Sequence, residues 1–538
     1  MSERMSVPRH LKREDVHAWV LLDETDSFEA DAIVGESAAR EPEGPSVVDG
    51  AKQPHASRVS MAFVIAFFAM VLIPLACMPF VSEDVSAEKR ELAPTPSLTK
   101  DGAPNLNVLA DTGDWFADHF AFRGTMVDLD ATIKQRVFMT SATDNVVVGS
   151  SGWLYYAGTL NDYQRRNRLS DHELANVAAN LALIQEYITA QGKGFAFAIA
   201  PNKNSLYPEH MPYYEMPGEG ESNLDRLRPL LDAAGVRTCD LQAAFNAQDA
   251  ILYYQRDSHW NGEGALLAYR CIAPLLSTPV TSFEGEQEMI AGHVGDVDVM
   301  LHPATAQEEQ DPHWTAADMW EYANEAASVE DDMIQTHSTD SSARGTLLMY
   351  RDSFGNNLLP YFASAYAEAT FTKLVPYDMG VSALAGADDV VVERAERHID
   401  FFATKPPYLP SPERAISGEV ATKQGSTSVR LSTNGPYFVV EGTLDETCAT
   451  DDDRVFVEVT ADDGSRRAVE AFHVSEEGAV TRDFEGEADQ EEEPTIKGDW
   501  GYRAFVTMNE QGAKGFKEVR VLVGSTESAC EVAHVRVG

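Results

Sequence analysis

The chain reads as an α/β protein whose parallel sheet is flanked by helices, followed by an all-β sandwich and preceded by one membrane-spanning helix. Three observations carry that expectation. Between about residues 111 and 410, amphipathic helical stretches alternate with short buried strands, the pattern of a parallel sheet covered on both faces. From Ser411 onward, helical periodicity gives way to short β-branched runs separated by turn signals. Met61 to Val81, MAFVIAFFAMVLIPLACMPFV, runs without a single charge.

Taken in order, residues 1–58 are polar and acidic, with few large apolar side chains apart from Trp19-Val20-Leu21-Leu22, a candidate docking patch. They read as a disordered cytoplasmic tail. Residues 59–82 are expected to form the spanning helix, because Met61–Val81 rises ~30 Å at ~1.5 Å per residue. Pro74 and Pro79 are tolerable near one end of such a helix. About sixty preceding residues and the length of the run argue against a cleaved signal peptide. Lys52 and Arg58 precede the run, whereas Glu83, Asp84, Glu88 and Glu91 crowd around Lys89 and Arg90 beyond it. The basic flank places the N-terminus in the cytoplasm and the rest of the chain outside a cell membrane crossed once. Residues 83–110, broken by prolines, read as a linker.

In the α/β region, 111–410, Trp115, Phe116, Phe120, Met126, Leu129, Ile133 and Val137 follow a helical period. Residues 145–156 read as a strand, a glycine turn and a second strand. Ser170 and Glu173 form a capping box ahead of Leu174, Val177, Leu181, Ile184 and Ile188. Strands are expected at 194–200, 236–239, 345–350, 373–375 and 389–392, and helices at 223–234, 262–276 and 357–367. The weakly periodic, acidic stretch 303–344 reads as an insertion. In the sandwich, 411–538, strands are expected at 428–431, 437–440, 455–460, 468–474, 502–508 and 519–523, with the acidic run 485–493 as a loop.

Composition narrows the function. At 538 residues the chain exceeds one compact core. Its formal net charge of -44 opposes nucleic-acid binding, which needs a cationic surface. Beyond Cys77, four cysteines remain: Cys239 and Cys271 in one region, Cys448 and Cys530 in the other. An oxidising compartment allows two disulfides, although four cysteines permit three pairings. No CxxC or His/Cys cluster marks a metal site, and no cofactor is called for.

Two short motifs carry the chemistry. Tyr253 to Asn261 reads YYQRDSHWN, and Tyr350 to Gly355 reads YRDSFG. Ser353 lies where a buried strand ends before an amphipathic helix, the edge at which doubly wound sheets bind ligands. A helix start also presents N–H groups to an oxyanion. A serine there needs a base, for which His259 is the candidate, with Asp257 two residues earlier to orient the imidazole. Ser258 or Asn261 would alternatively cap the next helix.

These motifs sit in a longer set: EKRELAPTPSL from Glu88, WFADHFAFR from Trp115, VVVGSSGWLY from Val146, PNKNSLYPEHMP from Pro201, Gly295-Asp296 before Met300-Leu301, and VVERAER from Val391. Over roughly residues 85–405 the chain resembles the SGNH-hydrolase-like domain of alginate O-acetyltransferases of the AlgX/AlgJ type and the related DHHW proteins. The resemblance implies a flavodoxin-like SGNH fold, with Ser353 as nucleophile, His259 as base and Asp257 as its partner. It also implies acetyl transfer to an extracytoplasmic polysaccharide, with a membrane-bound O-acyltransferase as acetyl donor. Arg351 replaces the usual glycine and puts a cation beside the nucleophile. Asn202 is the oxyanion candidate and Asn356 the next, while Lys203, Tyr207 and Trp260 are candidates for lining a sugar site. Two alternatives stay open: a carbohydrate acetyl-esterase on the same triad, and a non-catalytic glycan-binding or scaffold protein of an export complex.

Overall fold

The computed structural model describes residues 58–81, 93–100, 103–279, 281–285, 287–374, 377–378, 384, 386–423, 427–450, 453–475, 498, 500–508 and 515–537. The N-terminal tail with its Trp19 patch, the first part of the linker and the acidic run 485–493 lie outside these residues. The chain divides into two compact units, Met1–Met70 and Val71–Gly538.

The apolar run forms a helix at Arg58–Cys77, with Pro74 inside it. The expectation of a membrane-spanning helix is overturned: among the described residues no helix is long and apolar enough to cross a membrane. The physical reason is that the helix stops at Cys77 and the chain turns over Met78–Phe80, so the apolar run outlasts the helix. Its apolar part from Met61 rises only about 26 Å at ~1.5 Å per residue, short of the ~30 Å hydrocarbon layer.

The α/β domain is built on a seven-stranded sheet. Its strands are β1 (Gly194–Ala200), β2 (Thr238–Cys239), β3 (Trp320–Tyr322), β4 (Met333–Ser338), β5 (Thr346–Tyr350), β6 (Glu368–Thr372) and β7 (Asp389–Ala395). Their spatial order is β2-β1-β7-β5-β6-β4-β3. The first five in that order run parallel, while β4 and β3 add an antiparallel edge. That edge comes from the stretch expected to be an insertion.

Strand alternation sorts side chains onto two faces. Ala196, Ala198, Leu347, Met349 and Val391 pack beneath α3 (Gly262–Ile272) and α4 (Gly355–Ala365). Phe195, Phe197, Leu348, Val390 and Val392 pack beneath α1 (Asp171–Thr189) and α2 (Asn223–Ala233). α1 starts on the Ser170–Glu173 capping box, with the Glu173 N–H 3.0 Å from Ser170 Oγ.

Beyond residue 410 lie a six-stranded and a four-stranded sheet. Phe438 and Val440 of the smaller sheet share one core with Val457, Val459, Val519 and Val521 of the larger. The smaller sheet also packs on the α1 face through Tyr437, Phe472 and Phe505. Asn180 of α1 fixes that junction by donating to the carbonyls of Phe402 (3.0 Å) and His473 (2.8 Å). Cys239 and Cys271 form a disulfide. Cys448 and Cys530 do not: both are free, Cys448 being packed into the sandwich core while Cys530 lies on a strand of the larger sheet, paired with Ala421 on one side and Val523 on the other.

Candidate active site

Two turns at the carboxyl edge of the sheet bring the expected residues together. The segment 350–355 leaves β5, the central strand of the seven, and enters α4 within five residues. Gly355 permits that tight turn, since a Cβ there would lie 2.5 Å from the Arg351 Cβ. Asp352 staples it: its Oδ1 accepts the Phe354 N–H at 2.9 Å and its Oδ2 the Ala395 N–H at 2.8 Å. Ser353 is left half-buried, and its own N–H has no acceptor among the described residues.

The second turn runs from Tyr253 to Asn261 and is closed by a bridge between Tyr253 and Trp260. Asn261 caps α3, its side chain accepting the Gly264 N–H at 3.0 Å. His259 thereby faces Ser353, with Nε2 2.8 Å from Oγ, and its Nδ1 is 2.7 Å from Asp257 Oδ1. Asp257 Oδ1 also accepts the His259 N–H at 2.8 Å. Its Oδ2 meets His293 Nε2 at 3.0 Å and the Asp296 N–H at 3.1 Å. Gly295 allows that approach, because a side chain there would collide with the Arg256 carbonyl.

Charge follows geometry. Burial disfavours the Asp257 carboxylate, but His259 and His293 outweigh it and hold the group well below the usual carboxylate range. Burial likewise opposes charge on His259, yet Asp257, with Asp296 beside it, lifts the imidazole above its ordinary value. Asp296 is pushed up by burial and by its neighbour Asp257. It is tied to Ser258, whose Oγ donates to Oδ2 at 2.6 Å. Asp257, His259 and Asp296 offer ligand atoms within 4.8 Å of one another, a spacing a cation can share. Here those atoms are engaged with each other and with Ser258 through hydrogen bonds.

The remaining candidates are supports. Lys203 is buried, and its Nζ donates to the carbonyls of Leu154 (2.6 Å), Gln255 (2.8 Å) and Asp257 (2.9 Å). Burial pulls its pKa down to about 7, against the attraction of Asp257, Glu309 and Asp296. It clamps the Asp257 turn rather than facing a sugar. Asn202 is buried, with Nδ2 given to Asp162 at 3.1 Å and its backbone N–H to Glu396 at 2.8 Å. Trp260 is fully buried and donates to the Phe354 carbonyl at 3.1 Å, tying the two turns together. The Tyr207 hydroxyl accepts the Leu252 N–H at 2.8 Å, with its ring against Trp153. Arg351 is buried; it donates to the Asn356 Oδ1 and to the carbonyls of Val329 (3.0 Å) and Asp331 (2.8 Å). Its two terminal nitrogens, and with them the Asn356 oxygen, are therefore engaged within the protein.

Sequence reasoning missed His293, which lies on the exposed acidic hairpin of 287–294 and 308–314 and carries no local signal. Asp296 was visible only through its Gly-Asp motif.

Residues 146–341 match the family model of the SGNH hydrolase-like domain of the acetyltransferase AlgX, a match that includes Asp257 and His259 and ends before Ser353. Over 200 residues the chain is 26% identical to a probable alginate O-acetylase AlgJ of Pseudomonas syringae pv. tomato, covering 34% of this chain and 49% of that protein. The chain thus spans about half the length of the curated relatives it matches. It also matches the solved O-acetyltransferase domain of Pseudomonas putida AlgJ, at 19% identity and a TM-score of 0.33, over 48% of this chain and 92% of that one. A match to Pseudomonas aeruginosa AlgX has 12% identity and a TM-score of 0.31, over 72% of this chain and 95% of that one. The chain carries an SGNH hydrolase-like domain of the AlgX/AlgJ type.

Proposed function

We propose that this chain is an extracytoplasmic O-acetyltransferase acting on a cell-surface polysaccharide through an acetyl-serine at Ser353. The observation that carries the reading is the continuous hydrogen-bonded line from Ser353 Oγ through His259 to Asp257, at 2.8 and 2.7 Å. His259 Nε2 takes the Ser353 proton as Oγ attacks the donor acetyl carbon, and Asp257 balances the imidazolium. The unpaired Ser353 N–H is positioned to stabilise the resulting oxyanion. The leaving group departs with the proton from His259, leaving the acetyl-serine. A sugar hydroxyl then attacks, giving its proton to His259, which returns it to Ser353 Oγ as the acetylated sugar leaves.

The Cys239–Cys271 disulfide supports an oxidising location. The likeness to alginate O-acetylases supports a polysaccharide acceptor, and the family resemblance supports a membrane-bound O-acyltransferase as the source of acetyl groups. Ser353→Ala in the producing cell tests the reading: surface glycan acetylation should vanish while the protein stays folded. Unchanged acetylation in that variant would sink it. Acetate release that does not fall when an oligosaccharide is added would favour an esterase instead, since water and sugar compete for one acyl-enzyme.

A further inference from the structure

Beneath the nucleophile turn lies an acid that the acyl-transfer steps do not use. Glu393, on β7, is fully buried. A Cβ added at Gly355, the first residue of α4, would lie 3.1 Å from Glu393 Oε2, so the carboxyl packs directly against that helix start. Its Oε2 accepts the Asp352 N–H at 3.2 Å, and two residues further along β7 the Ala395 N–H donates to Asp352 Oδ2 at 2.8 Å. β7 therefore grips the turn twice. The neighbouring backbone donors are taken as well: the Arg351 N–H by the Thr372 carbonyl (2.9 Å), Phe354 by Asp352 Oδ1 (2.9 Å), Gly355 by the Asp352 carbonyl (3.2 Å) and Asn356 by the Ser353 carbonyl (3.1 Å). Across this turn, only the Ser353 N–H has no acceptor among the described residues.

Two carboxyl groups share this buried space, and their surroundings divide the charge between them. Asp352 accepts two backbone N–H groups, and Arg394, Arg397 and His398 outweigh the burial that opposes its charge. Glu393 accepts one, its Oε1 has no partner, and it makes no ion pair among the described residues. Burial and the Asp352 charge hold its carboxyl well above the usual range, against the attraction of Arg394 and Arg351. The phenols Tyr253 and Tyr377 also feel its charge. An uncharged acid suits the place, because a carboxylate there would oppose the negative oxygen that forms at the Ser353 N–H. We infer that Glu393 is a positioning residue of the nucleophile turn, taking the Asp352 N–H so that the Ser353 N–H stays free for the oxyanion. It acts through the backbone and touches no reacting atom. This rests on the acyl-transfer reading above.

The test follows acetyl-enzyme formation by the full chain with 4-nitrophenyl acetate across about pH 5–9. Glu393→Met keeps the bulk and loses the acceptor, so kcat should fall by about tenfold or more while KM holds. Glu393→Gln keeps an acceptor oxygen without a charge; it should restore most of that loss and leave the acid limb where it is in the unaltered chain. Should Glu393→Met not fold, Glu393→Asp, which withdraws the carboxyl by one methylene, carries the same expected fall. Full activity in the variants that lose the acceptor, or a loss carried by KM alone, would overturn the positioning role. A Glu393→Gln variant as slow as Glu393→Met, or with its acid limb moved to lower pH, would show a carboxylate at work and overturn the uncharged acid. A second arm needs no turnover: in the Ser353→Ala background, adding Glu393→Gln should remove the infrared C=O stretch of one protonated carboxyl. If that band is lost while the unaltered chain forms no acetyl-Ser353, the acyl-transfer reading fails and the uncharged acid under the turn stands. A spectrum without a lost band refutes the uncharged acid.

Discussion

Replacing Asp257 by asparagine probes the site most sharply, because one carboxylate serves four donors. They are the His259 N–H (2.8 Å), His259 Nδ1 (2.7 Å), His293 Nε2 (3.0 Å) and the Asp296 N–H (3.1 Å). An asparagine keeps one acceptor oxygen. If that oxygen stays toward His259, the amide NH2 faces the Asp296 N–H, and the imidazolium formed during attack loses its neutralising charge. If the amide flips, NH2 faces His259 Nδ1 and forces the proton onto Nε2, where Ser353 Oγ then finds no base. Either orientation costs about 10³–10⁴ in kcat, equivalent to ~4–5.5 kcal/mol of barrier. Losing the charge also releases His259 from the influence that raises it, so the acid limb of the residual activity should move to lower pH. Initial rates with 4-nitrophenyl acetate across about pH 5–9 measure both effects. A folded variant with less than about a tenfold loss, or with an unmoved limb, would refute the assignment of Asp257.

Other consequences are independent. In the unaltered protein His259 must be neutral to accept the proton, and its folded-state value is raised, so the acid limb of kcat/KM should lie above about 6.5; a limb well below that value contradicts the Asp257 and Asp296 contribution. Lys203→Met strips donors from three buried carbonyls and should cost about 2–4 kcal/mol in urea unfolding while lowering kcat, because the Asp257 turn loosens. Unchanged stability would show that the clamp contributes nothing. The Cys239–Cys271 bond closes a loop of sequence separation 32 that contains Asp257 and His259. Replacing both cysteines by serine should cost about 3–4 kcal/mol, read as a lower urea midpoint, and an unmoved midpoint would contradict that constraint.

Much of the α/β core was legible because its signals are local. The Ser170–Glu173 box, the seven-residue apolar run at 194–200 and the Gly345–Tyr350 region each fix an element within a few neighbouring residues. Features set by distant partners were less visible. The sheet continues through β6 at Glu368–Thr372, and Lys373 and Leu374 of the expected strand lie beyond its end, because pairing with β5 and β4 selects that register. β3 and β4 arise from an acidic stretch whose burial depends on the edge of β6. The helical period over 115–137 is interrupted at Phe122, which adopts a left-handed conformation, giving two helices, Val108–His119 and Arg123–Ile133. The apolar run at 61–81 was misjudged because hydropathy does not reveal where the helix ends. At the site, Asp257, His259 and Ser353 were nameable from motifs alone. The clamp role of Lys203, the burial of Trp260 and the partnership of His293 needed three dimensions, since each depends on residues more than thirty positions away.

The central claim is that Ser353 carries the acetyl group. The full chain treated with 4-nitrophenyl acetate, quenched in acid and mapped by peptide mass should show acetyl on the peptide containing Ser353. The adduct should be absent in Ser353→Ala, slow to form in His259→Ala, and discharged faster when a polysaccharide fragment is added. Release of 4-nitrophenol with no acetyl at Ser353, or with the label equally present in Ser353→Ala, would contradict the account.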